Sequence, residues 1–298
     1  MRRPVSALLI ALALALAAAS CGDDDGGSSA DPVADETTGS TSTEAPASST
    51  TTPTTTPTTT EAPPVTVTTT APEPLLVLVS NDDGVDAPGI DALVEMLLAR
   101  GDVEVVVVAP DGNRSGSSDT TTEDGDVTAV EATTASGYPA VAVSGFPADA
   151  VVHALDVMGV EPDLVISGIN EGANIGPFSE LSGTVGAART GARAGYPALA
   201  ASSGLADPVD FAAGAAAVSD WLDDNIADLR EGPAAFVESL NIPSCAEGEV
   251  RGVLEVPTAT DFAGRDALAS DCLSEATDAA DDVDAFNFGY ASLAVLTF

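Results

Sequence analysis

Leu75-Leu76-Val77-Leu78-Val79-Ser80-Asn81-Asp82-Asp83-Gly84 is the stretch that decides how the folded part of this chain is read. Residues 75–79 are apolar on both alternating faces, which suits a strand buried inside a parallel sheet better than one with a solvated side. The strand ends abruptly in a polar, Gly-closed turn. Residues 86–100 then place Ile90, Leu93, Val94, Leu97 and Leu98 at helical spacing, with Pro88 near the start and Gly101 just past the end. Residues 103–109 repeat the buried-strand pattern.

Further along, the alternation continues. Strands are predicted at 140–143, 164–167, 198–201 and 236–241, with helices at 147–158, 183–194 and 211–222 and a last strand at 289–298. Strands alternating with helices indicate an α/β fold, a Rossmann-like parallel or mixed sheet with helices on both faces. Residues 110–138 are polar and Gly-rich, and read as a loop or hairpin excursion. Residues 244–285 are irregular and acidic, and carry no assigned element.

Open α/β sheets collect ligands at the carboxyl ends of their strands, so the segments just after the apolar runs matter most. After the first run comes Ser80-Asn81-Asp82-Asp83-Gly84, and after the second Asp111-Gly112-Asn113-Arg114-Ser115-Gly116. After Leu164-Val165-Ile166 comes Ser167-Gly168-Ile169-Asn170-Glu171-Gly172-Ala173-Asn174, and Ser182-Gly183-Thr184 opens a helix. Adjacent carboxylates such as Asp82 and Asp83 repel unless a cation stands by them. Asp, Asn and Ser oxygens form a hard set that suits Mg²⁺, Mn²⁺ or Ca²⁺ better than Zn²⁺. Taken alone, Asp-Asp-Gly is as readily a solvated acidic turn. Ser182-Gly183-Thr184 offers helix-start N–H groups and a positive dipole end to an anion, although Ser and Thr there commonly serve as N-caps. Arg114 lies inside one of these loops. His153, the sole histidine, reads as a structural residue on its helix. Arg189 and Arg193, one turn apart, read as a solvated helix face.

In order and spacing these strings resemble the SurE survival-protein family of 5′-nucleotidases. The resemblance runs from 75 to 202 and is carried by Val79 to Ile90, Val108-Ala109-Pro110-Asp111, Asn113-Arg114-Ser115-Gly116, Ser167-Gly168-Ile169-Asn170, Gly172-Ala173-Asn174 and Ser182-Gly183-Thr184-Val185-Gly186-Ala187-Ala188. Leu240-Asn241-Ile242-Pro243 and Gly289-Tyr290-Ala291-Ser292 echo later family segments. It implies a metal-dependent phosphomonoester hydrolase acting on nucleoside 5′-monophosphates, with one divalent ion, Mg²⁺ or Mn²⁺. Asp82, Asp83, Ser115 and Asn170 match the family's metal ligands. Asn174, Ser182, Gly183 and Thr184 match its phosphate side, with Asp82, Asp83, Asn174, Ser182 and Thr184 as the catalytic set. No separate general base stands out; Asp111 or a metal-bound hydroxide could serve. The resemblance also implies a homo-dimer or tetramer. Gly112, the stretch 177–181 and Thr190 depart from the family pattern. A binding lipoprotein with the same fold and little turnover is the rival reading. A haloacid-dehalogenase-type phosphatase is disfavoured, because the turn directly after Val79 lacks the Asp-x-Asp nucleophile motif.

The amino-terminal quarter has another character. Arg2 and Arg3 precede an unbroken apolar run from Ala7 to Ala19, then Ser20 and Cys21. That is an export signal, too short to span a membrane, and its ending resembles a lipobox in which Cys21 is lipidated. Residues 22–74 are Thr-, Ser-, Pro- and Asp/Glu-rich, with too little apolar mass to offset ordering entropy, and read as a stalk. The expected division is therefore 1–21 signal and lipidated Cys, 22–74 linker and 75–298 phosphatase domain, exported and membrane-anchored only through Cys21, the alternative being plain secretion with a free or cleaved Cys21. The formal net charge is −38, with no lysine anywhere. Such a surface repels nucleic acid polymers, and leaves a phosphate to be met by metal and backbone N–H. Cys245 and Cys272 either pair in an oxidising compartment or remain inert thiols.

Overall fold

The computed structural model describes residues 72–123 and 126–298; the predicted signal and nearly all of the linker lie outside them. Among the described residues nine strands form one mixed sheet in the order β3-β4-β2-β1-β5-β6-β7-β9-β8. At its centre are β1 (Leu75–Ser80), β2 (Val103–Pro110) and β5 (Leu164–Glu171), with β1 parallel to both neighbours. On one side β2 is followed by β4 (Pro139–Val143), parallel to it, and β3 (Ala129–Thr133), antiparallel to β4. On the other side β6 (Ala198–Ser203) and β7 (Val237–Ile242) extend the parallel set. β9 (Ala291–Leu296) then runs antiparallel to β7, and β8 (Val253–Glu255) pairs parallel with β9.

The strands are buried on both faces because helices cover both. Val77 and Val79 point to a core shared with α1 (Pro88–Arg100) and α4 (Phe211–Arg230), including Ile90, Leu93, Val218 and Leu222. Leu78, between them in sequence, points the other way, into a core with α2 (Pro147–Val152) and α3 (Gly183–Arg193). That alternation is the pleat of a doubly covered strand. α3 is poor in bulky side chains for a steric reason. A Cβ on Gly186 would lie 2.0 Å from the Ser118 carbonyl oxygen, so only glycine lets the helix seat against that segment.

Several predicted boundaries move. α1 begins at Pro88, not 86, because Ala87 is extended at the N-cap. The 110–138 excursion ends in the β3–β4 hairpin. The helix expected over 147–158 is α-helical only to Val152, then widens into a π-helical turn over His153–Val157. β5 continues past 167 to Glu171, since its pairing with β6 resumes after a register shift between Ser167 and Asn170. α4 continues past 222 because Ile226 and Leu229 keep its apolar stripe on the core. The unassigned stretch 244–285 carries β8 and the start of α5 (Asp282–Asn287). Cys245 and Cys272 are disulfide-bonded, with Cα atoms 5.7 Å apart. Among the described residues no helix is long and apolar enough to cross a membrane.

Candidate active site

β1 sends the chain outward to β2, and the sheet grows in the opposite direction through β5. The carboxyl ends of β1 and β5 therefore flank the point where strand order reverses, the usual place for a crevice in such sheets. A cleft of about 230 Å³ lies there, with Asp82, Ser115, Asn170, Asn174 and Ser182 in its wall.

The first turn is built locally. Asn81 Nδ2 donates to the Gly84 carbonyl (2.9 Å) and Asn81 Oδ1 accepts from Gly84 N (3.2 Å), closing the loop by side-chain mimicry of a backbone turn. The second loop is laced to it: Val85 N donates to the Pro110 carbonyl at 2.9 Å and Arg114 N to the Asp82 carbonyl at 2.6 Å. Ser115 is thereby brought beside Asp82. Asp83 accepts from Asn113 Nδ2 (2.8 Å) and from Glu171 N (3.1 Å), which ties it to both neighbouring loops. Asp82, Ser115 and Asn170 thus line one cleft from three separate strand ends, whereas Asp83 does not line it and is tied instead to the loops on either side.

Asp82 is 2 % exposed. Thr184 Oγ1 donates to its Oδ1 at 2.5 Å, and the N–H groups of Gly183 and Thr184 also point at it. A Cβ on Gly183 would come within 2.8 Å of Asp82 Cβ, so the α3 terminus seats directly on this residue. Burial pushes the Asp82 carboxyl above its ordinary range, against the pull of those hydrogen bonds. Asp83 is pushed up to about 6, chiefly by burial and then by the charge of Asp82.

These contacts alter two expectations. Thr184 is fully buried and does not line the cleft; its hydroxyl proton is committed to Asp82. The first N–H groups of α3 also lie near the Asp82 carboxylate, so an anion at the helix start would share them with it. Ser182 does line the cleft and is also an N-cap, its Oγ accepting from Val185 N at 3.1 Å. Asn174 is held from behind, with Nδ2 donating to Ser202 Oγ (2.9 Å) and its backbone N–H to Asn241 Oδ1 (2.7 Å). Asn170 is 7 % exposed. Its Nδ2 donates to the Gly172 carbonyl at 2.6 Å, and its carbonyl oxygen is the end left for a cation.

No arginine lines the cleft. Arg114 is paired with Asp111 at 2.6 Å, outside the cleft, which ties up the candidate base. Arg189 is not on a solvated face: it is 6 % exposed, pairs with Glu180 (2.6 Å) and donates to the Thr297 carbonyl (2.9 Å). Arg193 remains on the surface, paired with Asp119. His153 lies in the π-helical turn, away from the cleft lining. Sequence reading assigned no role in the cleft to Ser202, Asn241, Phe178 or Leu181. The first two carried a faint signal, polar residues inside apolar strands.

Among the described residues no three Asp, Glu, His or Cys side chains gather. The donors here are instead two carboxylates, a hydroxyl and an amide oxygen. Buried carboxylates without a basic partner, beside neutral oxygen donors, fit a hard divalent cation.

Fold and cleft define a doubly wound α/β protein with an oxygen-rich, arginine-free site at its topological switch point. The chain belongs to the SurE family: the family model for "Survival protein SurE" matches residues 77–264. It is similar to the 5′-nucleotidase SurE of Aeromonas hydrophila subsp. hydrophila, 41 % identical over 180 residues that cover 59 % of this chain and 69 % of the relative. It is also similar to the 5′/3′-nucleotidase SurE of Yersinia pestis, 38 % identical over 59 % of this chain and 66 % of the relative. The crystal structure of the SurE protein from Aquifex aeolicus superposes with a TM-score of 0.60 at 29 % identity. It spans 74 % of this chain and 92 % of that one.

Proposed function

We propose that this chain is a divalent-metal-dependent phosphomonoesterase that hydrolyses nucleoside 5′-monophosphates to nucleoside and phosphate. The observation that carries the reading is the cleft itself: Asp82, Ser115, Asn170, Asn174 and Ser182 share one wall, and no arginine stands among them. A phosphate dianion entering it meets carboxylates and no cationic side chain, so binding requires a cation between them. The nucleotidase relatives support the substrate class.

Asp82, Asp83, Ser115 and Asn170 would hold Mg²⁺ or Mn²⁺. When bound, the ion supplies positive charge against the phosphoryl oxygens and makes water more acidic. Thr184 holds the Asp82 carboxylate in a single orientation, and Asn113 with the Glu171 N–H does the same for Asp83. Because Ser182 Oγ accepts from Val185 N, its own proton is available to donate. Asn174 Nδ2 has a second proton beyond the one given to Ser202. These two donors face the phosphoryl group as its charge shifts, where preset hydrogen bonds count most.

Phosphate release from adenosine 5′-monophosphate, with Mg²⁺ or Mn²⁺ and after chelation, tests this. Metal-dependent release is expected; tight nucleotide binding without release would favour a binding protein on the same fold.

The proposal includes export and anchoring through Cys21, with 22–74 as a stalk for the domain at 75–298. The Cys245–Cys272 bond supports an oxidising compartment. Mass spectrometry of the membrane fraction, looking for a lipidated chain starting at Cys21, checks it. A homo-dimer or tetramer is also proposed. Apolar side chains left open at the far sheet edge, Val295 at 73 % exposure above all, support it, and analytical ultracentrifugation reads it directly.

A further inference from the structure

The cleft has one aromatic residue in its wall, Phe178, in a chain where aromatics make up 4 % of the sequence. It sits on the short 3₁₀ turn Gly176–Glu180 and is only half-buried. The turn is held at several points. Gly176 N donates to Asp282 Oδ2 and Ser179 Oγ to the Gly176 carbonyl, both at 2.8 Å. Leu181 N and Ser182 N donate to the Phe178 carbonyl at 3.0 and 3.1 Å, and Ser118 N donates to the Leu181 carbonyl at 3.0 Å. Behind the ring stands Phe262, edge-on, with centroids 4.8 Å apart and planes at 60°. That arrangement is the favoured aromatic pairing and fixes the ring's tilt. One part of the Phe178 surface is committed to Phe262; the rest lines the cleft. Leu181, 60 % exposed, lines it as well, and Leu205 reaches over Gly172. A half-open aromatic ring beside two exposed leucines, four residues from Ser182, forms an apolar rim next to an otherwise polar cleft.

We infer that Phe178, oriented by Phe262, is the stacking wall for the nucleobase of the substrate and therefore a specificity-determining residue. The inference rests on the phosphomonoesterase reading. Polar groups at the inner end receive the phosphate, and the organic part of the ester leaves toward Phe178 and Leu181. Every base presents a π-face, so stacking tolerates any base. It rejects phosphate esters of small polyols, which have none.

Steady-state kinetics of the intact protein with Mn²⁺, on adenosine 5′-monophosphate and on glycerol phosphate, test this in the wild type, Phe178→Ala, Phe178→Leu and Phe262→Ala. Calorimetric titration with adenosine 5′-monophosphate and with inorganic phosphate accompanies them. Phe178→Ala is expected to raise KM for the nucleotide on the order of tenfold and that for glycerol phosphate by less than about twofold. Phe178→Leu, which keeps apolar bulk and so guards against misfolding, is expected to follow the alanine variant in direction. Phe262→Ala is expected to show a smaller nucleotide-only effect, as for a positioning residue. Equal shifts for both esters, or none for either, overturn the inference. If the wild type hydrolyses neither ester, the enzymatic reading falls, and calorimetry still decides the wall. Nucleotide affinity lost while phosphate affinity is kept supports it; parallel changes overturn it.

Discussion

The two ends of the sheet carry different kinds of information. From β1 to β6 the chemistry is written in contiguous strings. Asp82 and Asp83 come just after β1, Ser115 after β2, and Asn170 and Asn174 succeed one another around the end of β5. From 243 onward no string announces a role, yet this segment supports the cleft from behind. Asp282, 2 % exposed, accepts from Gly176 N and Ala259 N, both at 2.8 Å. Val283, Phe286 and Ala259 pack with Ala173 and Ile175 into a small separate core, and Phe262 lies against it. The disulfide pins the two loops of that segment together. Ligation and support are thus divided between regions, and perturbing each should have a separable effect.

The largest expected effect is on the ligating side. Asp82→Asn should lower metal-dependent phosphate release by roughly three orders of magnitude while the fold stands. The amide keeps an acceptor for Thr184 and removes a buried charge that no basic side chain neutralises. Activity is read at matched metal concentration, and the fold by circular dichroism and melting temperature. Activity near the wild-type level would mean that ligation does not centre on Asp82.

On the supporting side the expected loss is in stability. The disulfide closes a loop with a sequence separation of 27. By chain entropy its removal, as Cys245→Ala/Cys272→Ala, costs up to about 3.5 kcal/mol. Chemical denaturation of the reduced and oxidised chains measures it. Asp282→Ala strands two buried N–H groups and should cost about 2–4 kcal/mol, or several degrees of melting temperature. In both variants Mn²⁺ affinity by calorimetry should stay near that of the wild type, because all four candidate ligands hang from β1, β2 and β5. A tenfold loss of Mn²⁺ affinity in either would show that support and ligation are one unit.

The same division explains what could be read from sequence. Asp82, Ser115 and Asn170 were brought together by the SurE resemblance, whose strings lie at or just after buried strands, and a turn such as Asn81–Gly84 is specified by neighbours in sequence. The α/β alternation was legible because helices on both faces leave runs such as 75–79 apolar throughout. Asp282 and Phe262 were not legible, since their partners Gly176 and Phe178 lie far off in the chain and no periodicity links them. Arg189 misled for a related reason. Its i,i+4 partner in sequence is Arg193, but its partners in space are Glu180 and the Thr297 carbonyl, which draw it into the protein. Thr184 was placed on the phosphate side by resemblance. Only the fold shows that the nearest anion to its hydroxyl is Asp82 itself.

The smallest effect concerns a carboxyl on β7, between the two regions, that takes no part in ligation. Glu238 on β7 accepts from Trp221 Nε1 of α4 at 2.7 Å. Burial raises its pKa above the ordinary 4.5, and the neighbouring charge of Glu255 adds to the rise, against the pull of the Trp221 hydrogen bond. The folded chain therefore holds this proton to higher pH than the unfolded chain does. Between the ordinary value and the raised one, the folded state binds more protons, so unfolding free energy falls as pH rises through that window and is flat in this contribution above it. Glu238→Gln keeps an acceptor for the indole and removes the titration. Urea midpoints measured from about pH 4 to 8 should fall less steeply with rising pH in the variant, while its kinetics on the nucleotide stay close to wild type. Identical pH slopes would mean that Glu238 is solvated well enough to ionise as freely in the folded chain as in the unfolded one. The packing of α4 over β7 would then be looser at that point than a 2.7 Å indole hydrogen bond implies.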